Sequence, residues 1–131
     1  CTSPAEELRL LEYSQRLSLQ RRTVLVPDGA GSNGRSLVTA AITGGNRAQG
    51  EHACGLQPGT RGDLVEIASD HTEFSGRTPD QILDTWIFSG PDNPVRNVVV
   101  GGKHVVHDGV HPLMESASTS YRKMVETLDL G

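Results

Sequence analysis

The spacing of apolar residues divides the chain before any other property is considered. Leu8, Leu10, Leu11, Tyr13 and Leu17 recur at three- and four-residue steps, which predicts an amphipathic helix running to about Arg22. Its start is written in Ser3-Pro4-Ala5-Glu6. Ser3 can cap the open amides, Pro4 suits the first helical position, and Glu6 completes a capping box. Arg16, Arg21 and Arg22 suit the negative C-terminal end. The short apolar run Val24-Leu25-Val26 follows, and then a turn-rich loop over residues 27–34. A second helix is predicted from about Ser36, carrying Leu37, Val38, Ala40, Ala41 and Ile42. Gly44-Gly45 should stop or kink it, with Asn46 to Gln49 adding a further turn. Its small alanines suit close packing on a sheet or barrel wall.

From Gly50 the period changes. Gly55 to Gly59 reads as a turn, and Asp63 to Ala68 alternates as a strand does. Thr78-Pro79-Asp80-Gln81 opens another capped helix, whose apolar face is Ile82, Leu83, Trp86 and Ile87, ending at Gly90. Val95 to Val100, Gly101-Gly102 and Lys103 to His107 spell strand, tight turn and returning strand, and Asp108-Gly109 marks a second tight turn. A last helix is expected from Ser118, with Tyr121, Met124, Val125 and Leu128 on one face. Every helix presents an apolar stripe and only about three strands exist to cover them. A complete core within this chain is therefore not expected.

Composition narrows the class. The 131 residues are about one domain's worth. Leu, Ile, Val and Phe make up about 24% of them, above the roughly 20% below which chains stay disordered. The net charge of −4 argues against a phosphate-backbone binder, and no apolar run approaches a membrane span, so neither nucleic acid nor membrane is an expected partner. Cys1 and Cys54 make no disulfide framework and no signal segment opens the chain, which points to the cytoplasm. Starting at Cys1, with a helix opening at once, the sequence reads as a piece of something longer.

Several residues invite a chemical reading. Gly29-Ala30-Gly31-Ser32-Asn33-Gly34 fits the G-x-G-x-x-G string that holds a dinucleotide, and Glu51 falls about 20 residues on, where a ribose-binding acid is expected. Against this, Pro27-Asp28 separates the short apolar run from the first glycine and no second βαβ unit follows, so a plain flexible loop is the stronger reading. His104, His107 and His111 have metal-like spacings, but on a strand residues 104 and 107 should point to opposite faces, which favours ordinary hairpin histidines. His52 and His71 lie in turn-like surroundings. Glu6 and Glu7 are explained by capping and the helix dipole. Cys54 has no C-x-x-C partner, and no serine has a G-x-S-x-G context. These residues alone make no complete active site.

Three stretches together carry a family likeness. Residues 4–17, Pro-Ala-Glu-Glu-Leu-Arg-Leu-Leu-Glu-Tyr-Ser-Gln-Arg-Leu, resemble the helix after the last barrel strand of the formimidoylglutamate deiminases (N-formimino-L-glutamate iminohydrolases), within the amidohydrolase superfamily. Residues 40–50 and 55–65 are similar to that superfamily's barrel-to-sandwich crossover, and residues 95–109 to its closing strand pair. Gly62 departs from the Ala more usual before the Asp, and the 28–34 loop is richer in glycine.

The resemblance implies an α/β fold: the C-terminal part of a (β/α)8 metal-dependent hydrolase barrel plus the C-terminal strands of a small β-sandwich. Residues 1–50 would be the last barrel helices. Residues 51–113 would be sandwich, with an inserted helix near 79–88, and residues 114–131 a C-terminal helix. It further implies an enzyme of histidine degradation that hydrolyses N-formimino-L-glutamate to N-formyl-L-glutamate and ammonia through hydroxide activated by one zinc or other divalent metal. A homodimer is implied, as is the upstream barrel as the partner of this segment. Because the family's catalytic, metal-binding and substrate-binding residues lie upstream of Cys1, none maps onto this chain, and the segment alone should be inactive with no metal of its own. The alternatives are another deaminase of the superfamily, of guanine, cytosine or chlorohydrolase-like type, or a non-enzymatic binding module acting through residues 29–34.

Overall fold

A computed structural model describes residues 3–51, 55–90 and 93–128. Among these, the chain forms helices α1 (Pro4–Leu19), α2 (Asn33–Ala48), α3 (Pro79–Phe88) and α4 (Met114–Thr127), and strands β1 (Leu64–Ile67), β2 (Val95–Val100) and β3 (Lys103–Val106). A short 3-10 turn at Thr72–Phe74 precedes α3. Two compact units result. One holds residues up to Thr60 together with Ala68–Pro94, and the other holds Arg61–Ile67 and the residues from Val95 onward.

In the helical unit, α1 begins as its sequence dictates, with the Glu6 amide donating to Ser3 Oγ and Pro4 in the first turn. It stops at Leu19, short of the predicted Arg22, because Gln20 turns into the left-handed region and closes the helix by donating to the Arg16 carbonyl. The inward face also differs from the predicted stripe. Leu10, Leu11 and Leu17 are exposed, while Ala5 and Glu12 are buried.

Glu12 accounts for that choice. Its carboxylate, fully buried, accepts from Arg16 Nε at 2.8 Å, from the Val24 amide at 3.2 Å and from the Leu25 amide at 3.0 Å. The run Val24-Leu25-Val26 forms no strand. It instead folds back over α1, satisfying two backbone donors on the carboxylate and burying Val26. Arg16, held by Glu12, lies over the rings of Tyr13 and Phe88, 5.4 Å from each centroid, and those rings stack at 5.8 Å. A charged group thus ties α1 to α3 beside a small core of Ala5, Val26, Leu37 and Ile87.

The second helix starts three residues before the predicted Ser36, capped by Ser32, whose Oγ accepts from the Arg35 amide at 3.0 Å. It passes through Gly44-Gly45 to Ala48 without stopping. The glycines weaken a helix by about 1 kcal/mol each but do not remove its hydrogen bonds. Among the described residues its support is α3. Its close approach falls at Gly34, where a Cβ would lie 2.5 Å from the Leu83 carbonyl carbon. The capping box of α3 is complete: the Gln81 amide donates to Thr78 Oγ1, and the Thr78 amide donates to Gln81 Oε1. Although its sequence neighbours are the strands, α3 packs with α1 and α2.

The second unit is a three-stranded antiparallel sheet in the order β1-β2-β3. The predicted turns hold. Gly101 and Gly102 have φ of 56° and 76°, and Asp108 and Gly109 have 47° and 77°, the two positive values a tight primed hairpin turn requires. Asp63 anchors the first turn by accepting from the Gly101 amide at 2.6 Å. Each strand pair also carries an irregularity, the second between Val98 and Val99. The last helix opens at Met114, four residues before the predicted Ser118, and buries none of its residues. No described residue of this unit is fully buried, so its apolar positions, Val65 and Val110 among them, remain at least partly exposed. Neither a barrel nor a second sheet is present among the described residues.

Burial pushes the Glu12 carboxyl upward, but the Arg16 Nε–H, the Leu25 and Val24 amides and the Arg16 charge outweigh it and leave the group below the usual carboxylate value. A carboxyl lowered by folding stabilises fully above its unfolded value of about 4.3, and that contribution fades as pH falls through the folded value. Glu12→Ala, which strands two amides, should cost about 2–4 kcal/mol in urea unfolding at pH 7 and flatten the acid limb of the stability profile.

Candidate functional site

The glycine-bearing loop and the start of α2 form the best-built polar cluster. Asp84, on α3, aims its carboxylate at this helix N-terminus: Oδ1 accepts from the Gly34 amide at 2.6 Å and from Ser32 Oγ at 3.1 Å. One turn earlier, Asp80 pairs with Arg35. The positive end of α2, which a dinucleotide would need for its pyrophosphate, is already faced by a carboxylate of the same unit. The Gly34 position is filled by the α3 backbone, and no strand leads into the loop. Ser32 and Gly34 therefore dock α2 on α3, which corrects the dinucleotide reading, while residues 29–31 form the exposed loop that the plain reading expects. Glu51 is exposed and takes no part in the cluster's bonds, its amide donating to the Asn46 carbonyl.

Beside this cluster lies an open depression of about 410 Å³ lined by Gly31, Asn33, Arg77, Asp84, Thr85, Phe88 and Ser89. Three of its polar side chains, those of Arg77, Asp84 and Thr85, are already engaged. Arg77 Nε donates to the Glu73 carbonyl at 2.8 Å, and Thr85 Oγ1 donates to the Gln81 carbonyl at 2.7 Å. No nucleophile there faces a base. Glu6 stands in the first turn of α1, where its amide bonds the Ser3 cap, and Glu7 is exposed beside it.

The histidines are not arranged as strand alternation predicts. His104 and His107 lie side by side, ring centroids 3.7 Å apart and planes at 46°. The pairing explains why. Val106 pairs with Val98 and His104 with Val99, so Val105 is an extra residue, a β-bulge. One extra residue resets the alternation and brings positions three apart to the same face. His111 is separately engaged, its Nδ1 accepting from the Leu113 amide, and His71 faces Glu73 at 3.4 Å. His52, Cys1 and Cys54 lie outside the described residues. Among the described residues no three His, Cys, Asp or Glu side chains converge as a metal site, and no helix is long and apolar enough to cross a membrane.

Comparison with known proteins supplies what the site does not. No protein-family profile matches the chain. Over 128 residues, 97% of its length, it is 38% identical to a formimidoylglutamate deiminase from Pseudomonas aeruginosa. The chain is similar to part of a formimidoylglutamate deiminase. It spans 28% of that relative's length. An amidohydrolase crystal structure from Brucella melitensis superposes with a TM-score of 0.82 at 37% identity, covering 94% of this chain and 27% of that one. The likeness read from residues 4–17, 40–50, 55–65 and 95–109 thus extends over nearly the whole chain.

Sequence reading missed Glu12, Asp84 and the histidine pairing. A glutamate in mid-helix and an aspartate near a helix C-terminus look like ordinary solvated charges, and a bulge has no local composition that marks it. If Asp84 acts as the internal anion of α2, Asp84→Ala should lower stability by about 1–3 kcal/mol. Titration calorimetry with millimolar NAD or NADP should meanwhile show no binding heat to the unaltered protein.

Proposed function

We propose that this chain is the C-terminal segment of an amidohydrolase that converts N-formimino-L-glutamate and water to N-formyl-L-glutamate and ammonia. The observation that carries the reading is identity of 38% to the deiminase over almost every residue, together with a matching amidohydrolase fold. In that reaction water adds to the formimino carbon, the carbon–nitrogen bond to the terminal nitrogen breaks, and the nitrogen leaves as ammonia after gaining a proton. The zinc the family implies does not fit the described residues, which offer no convergent ligand set. Its ligands, like the substrate-binding and acid–base residues, would come from the remainder of a longer chain.

The role left to this segment is structural. Its α1 face of Leu10, Leu11 and Leu17 is suited to lie against barrel strands, and its sheet, lacking any fully buried residue, is suited to complete a sandwich. A cytoplasmic homodimer belongs to the same reading. Ammonia release by the intact protein should be fast with N-formimino-L-glutamate and absent with guanine or cytosine. Base deamination instead would move the protein to another branch of the superfamily. Deleting residues 51–131 from the intact protein should abolish both stable folding and deiminase activity, and retention of both would overturn the structural role.

A further inference from the structure

We propose that the imidazoles of His104 and His107 form a surface chelate for a divalent transition-metal ion such as zinc, copper or nickel. The site is separate from any metal of the proposed hydrolysis and rests on the hairpin geometry alone. Both histidines are exposed, and beyond each other's ring neither side chain has a hydrogen-bond or ion-pair partner among the described residues. Their imidazole nitrogens are therefore accessible to an ion, whereas His111 has its Nδ1 engaged and His71 faces a carboxylate.

The backbone holds the pair in place from both sides. His104 is fixed in the β2–β3 ladder opposite Val99. His107 closes the next turn through a reciprocal pair of backbone bonds with Val110, at 3.0 Å and 2.8 Å. Between them the bulge at Val105 puts both side chains on one face. Ligands on strands pinned at both ends lose less freedom on binding than ligands on a loose loop.

Distances suit one shared ion. Two imidazoles bound at about 2.0–2.1 Å to one tetrahedral ion keep their ring centres roughly 5 Å apart. From 3.7 Å this requires only a small outward rotation of two exposed rings. Imidazole suits zinc, copper and nickel better than calcium or magnesium, which prefer oxygen. Two protein ligands leave the other coordination positions to water, so the ion should exchange readily, unlike one enclosed by three or four side chains.

Carbethoxylation of histidine, read residue by residue by peptide mass spectrometry, tests this on the intact protein at neutral pH. Micromolar zinc chloride should suppress labelling of His104 and His107 together while leaving His71 and His111 unchanged. Because two donors on one strand act as a bivalent ligand, His104→Ala should weaken zinc protection of His107 by about a hundred-fold, and His107→Ala should do the same to His104. The residue-specific readout separates this site from zinc bound anywhere else, and both changes are at exposed positions that leave the fold intact. Equal labelling with and without zinc would overturn the proposal. So would protection of either histidine that persists when the other is removed.

Discussion

Burying the carboxylate of Glu12 is the constraint on which the helical unit depends. A charge with no access to water must be met by donors, and three converge on it: Arg16 from the next turn of α1 and the amides of Val24 and Leu25 from the returning chain. Meeting that need decides which side of α1 faces inward. It also bends residues 23–26 back over the helix instead of letting them extend as a strand, and sets Arg16 over the stacked rings of Tyr13 and Phe88. Leu10, Leu11 and Leu17 of the apolar stripe of α1 are left outside as a consequence, while Leu8 packs against the core.

A second carboxylate organises the other helix contact by the same logic. Asp84 satisfies the Gly34 amide and the Ser32 hydroxyl at the start of α2, which is possible only because Gly34 has no Cβ to keep the α3 backbone away. Of the three glycines in this stretch, Gly34 therefore serves packing between helices. A string shared with nucleotide-binding loops has a different meaning when the electropositive helix end is already neutralised from within. In the depression beside it, Arg77 and Thr85 are taken up by nearby backbone carbonyls, and Asp84 by the start of α2.

In the sheet unit the organising features are backbone ones. Two tight turns with positive φ at both central positions fix the hairpins, and single-residue irregularities alter which side chains share a face. With no fully buried residue, this sheet gains little from its own apolar side chains and is suited to cover by further structure. That agrees with the chain spanning 28% of the deiminase it resembles.

The sequence by itself determined what depends on near neighbours. Ser3 and Pro4 start α1, Thr78 and Gln81 start α3, and Gly101-Gly102 and Asp108-Gly109 make the turns, because caps and turns are settled within about four residues. The family likeness was legible for a related reason: matching side chains along the chain need no knowledge of what each one touches. Only the tertiary structure decided that Glu12 and Asp84 are internal anions, that Val24 to Val26 fold back, and that His104 and His107 share a face. Each of these depends on partners far along the chain or on a slip in strand register. Burial and pairing energies of that kind outweigh the fraction of a kilocalorie by which local propensity favours one conformation over another.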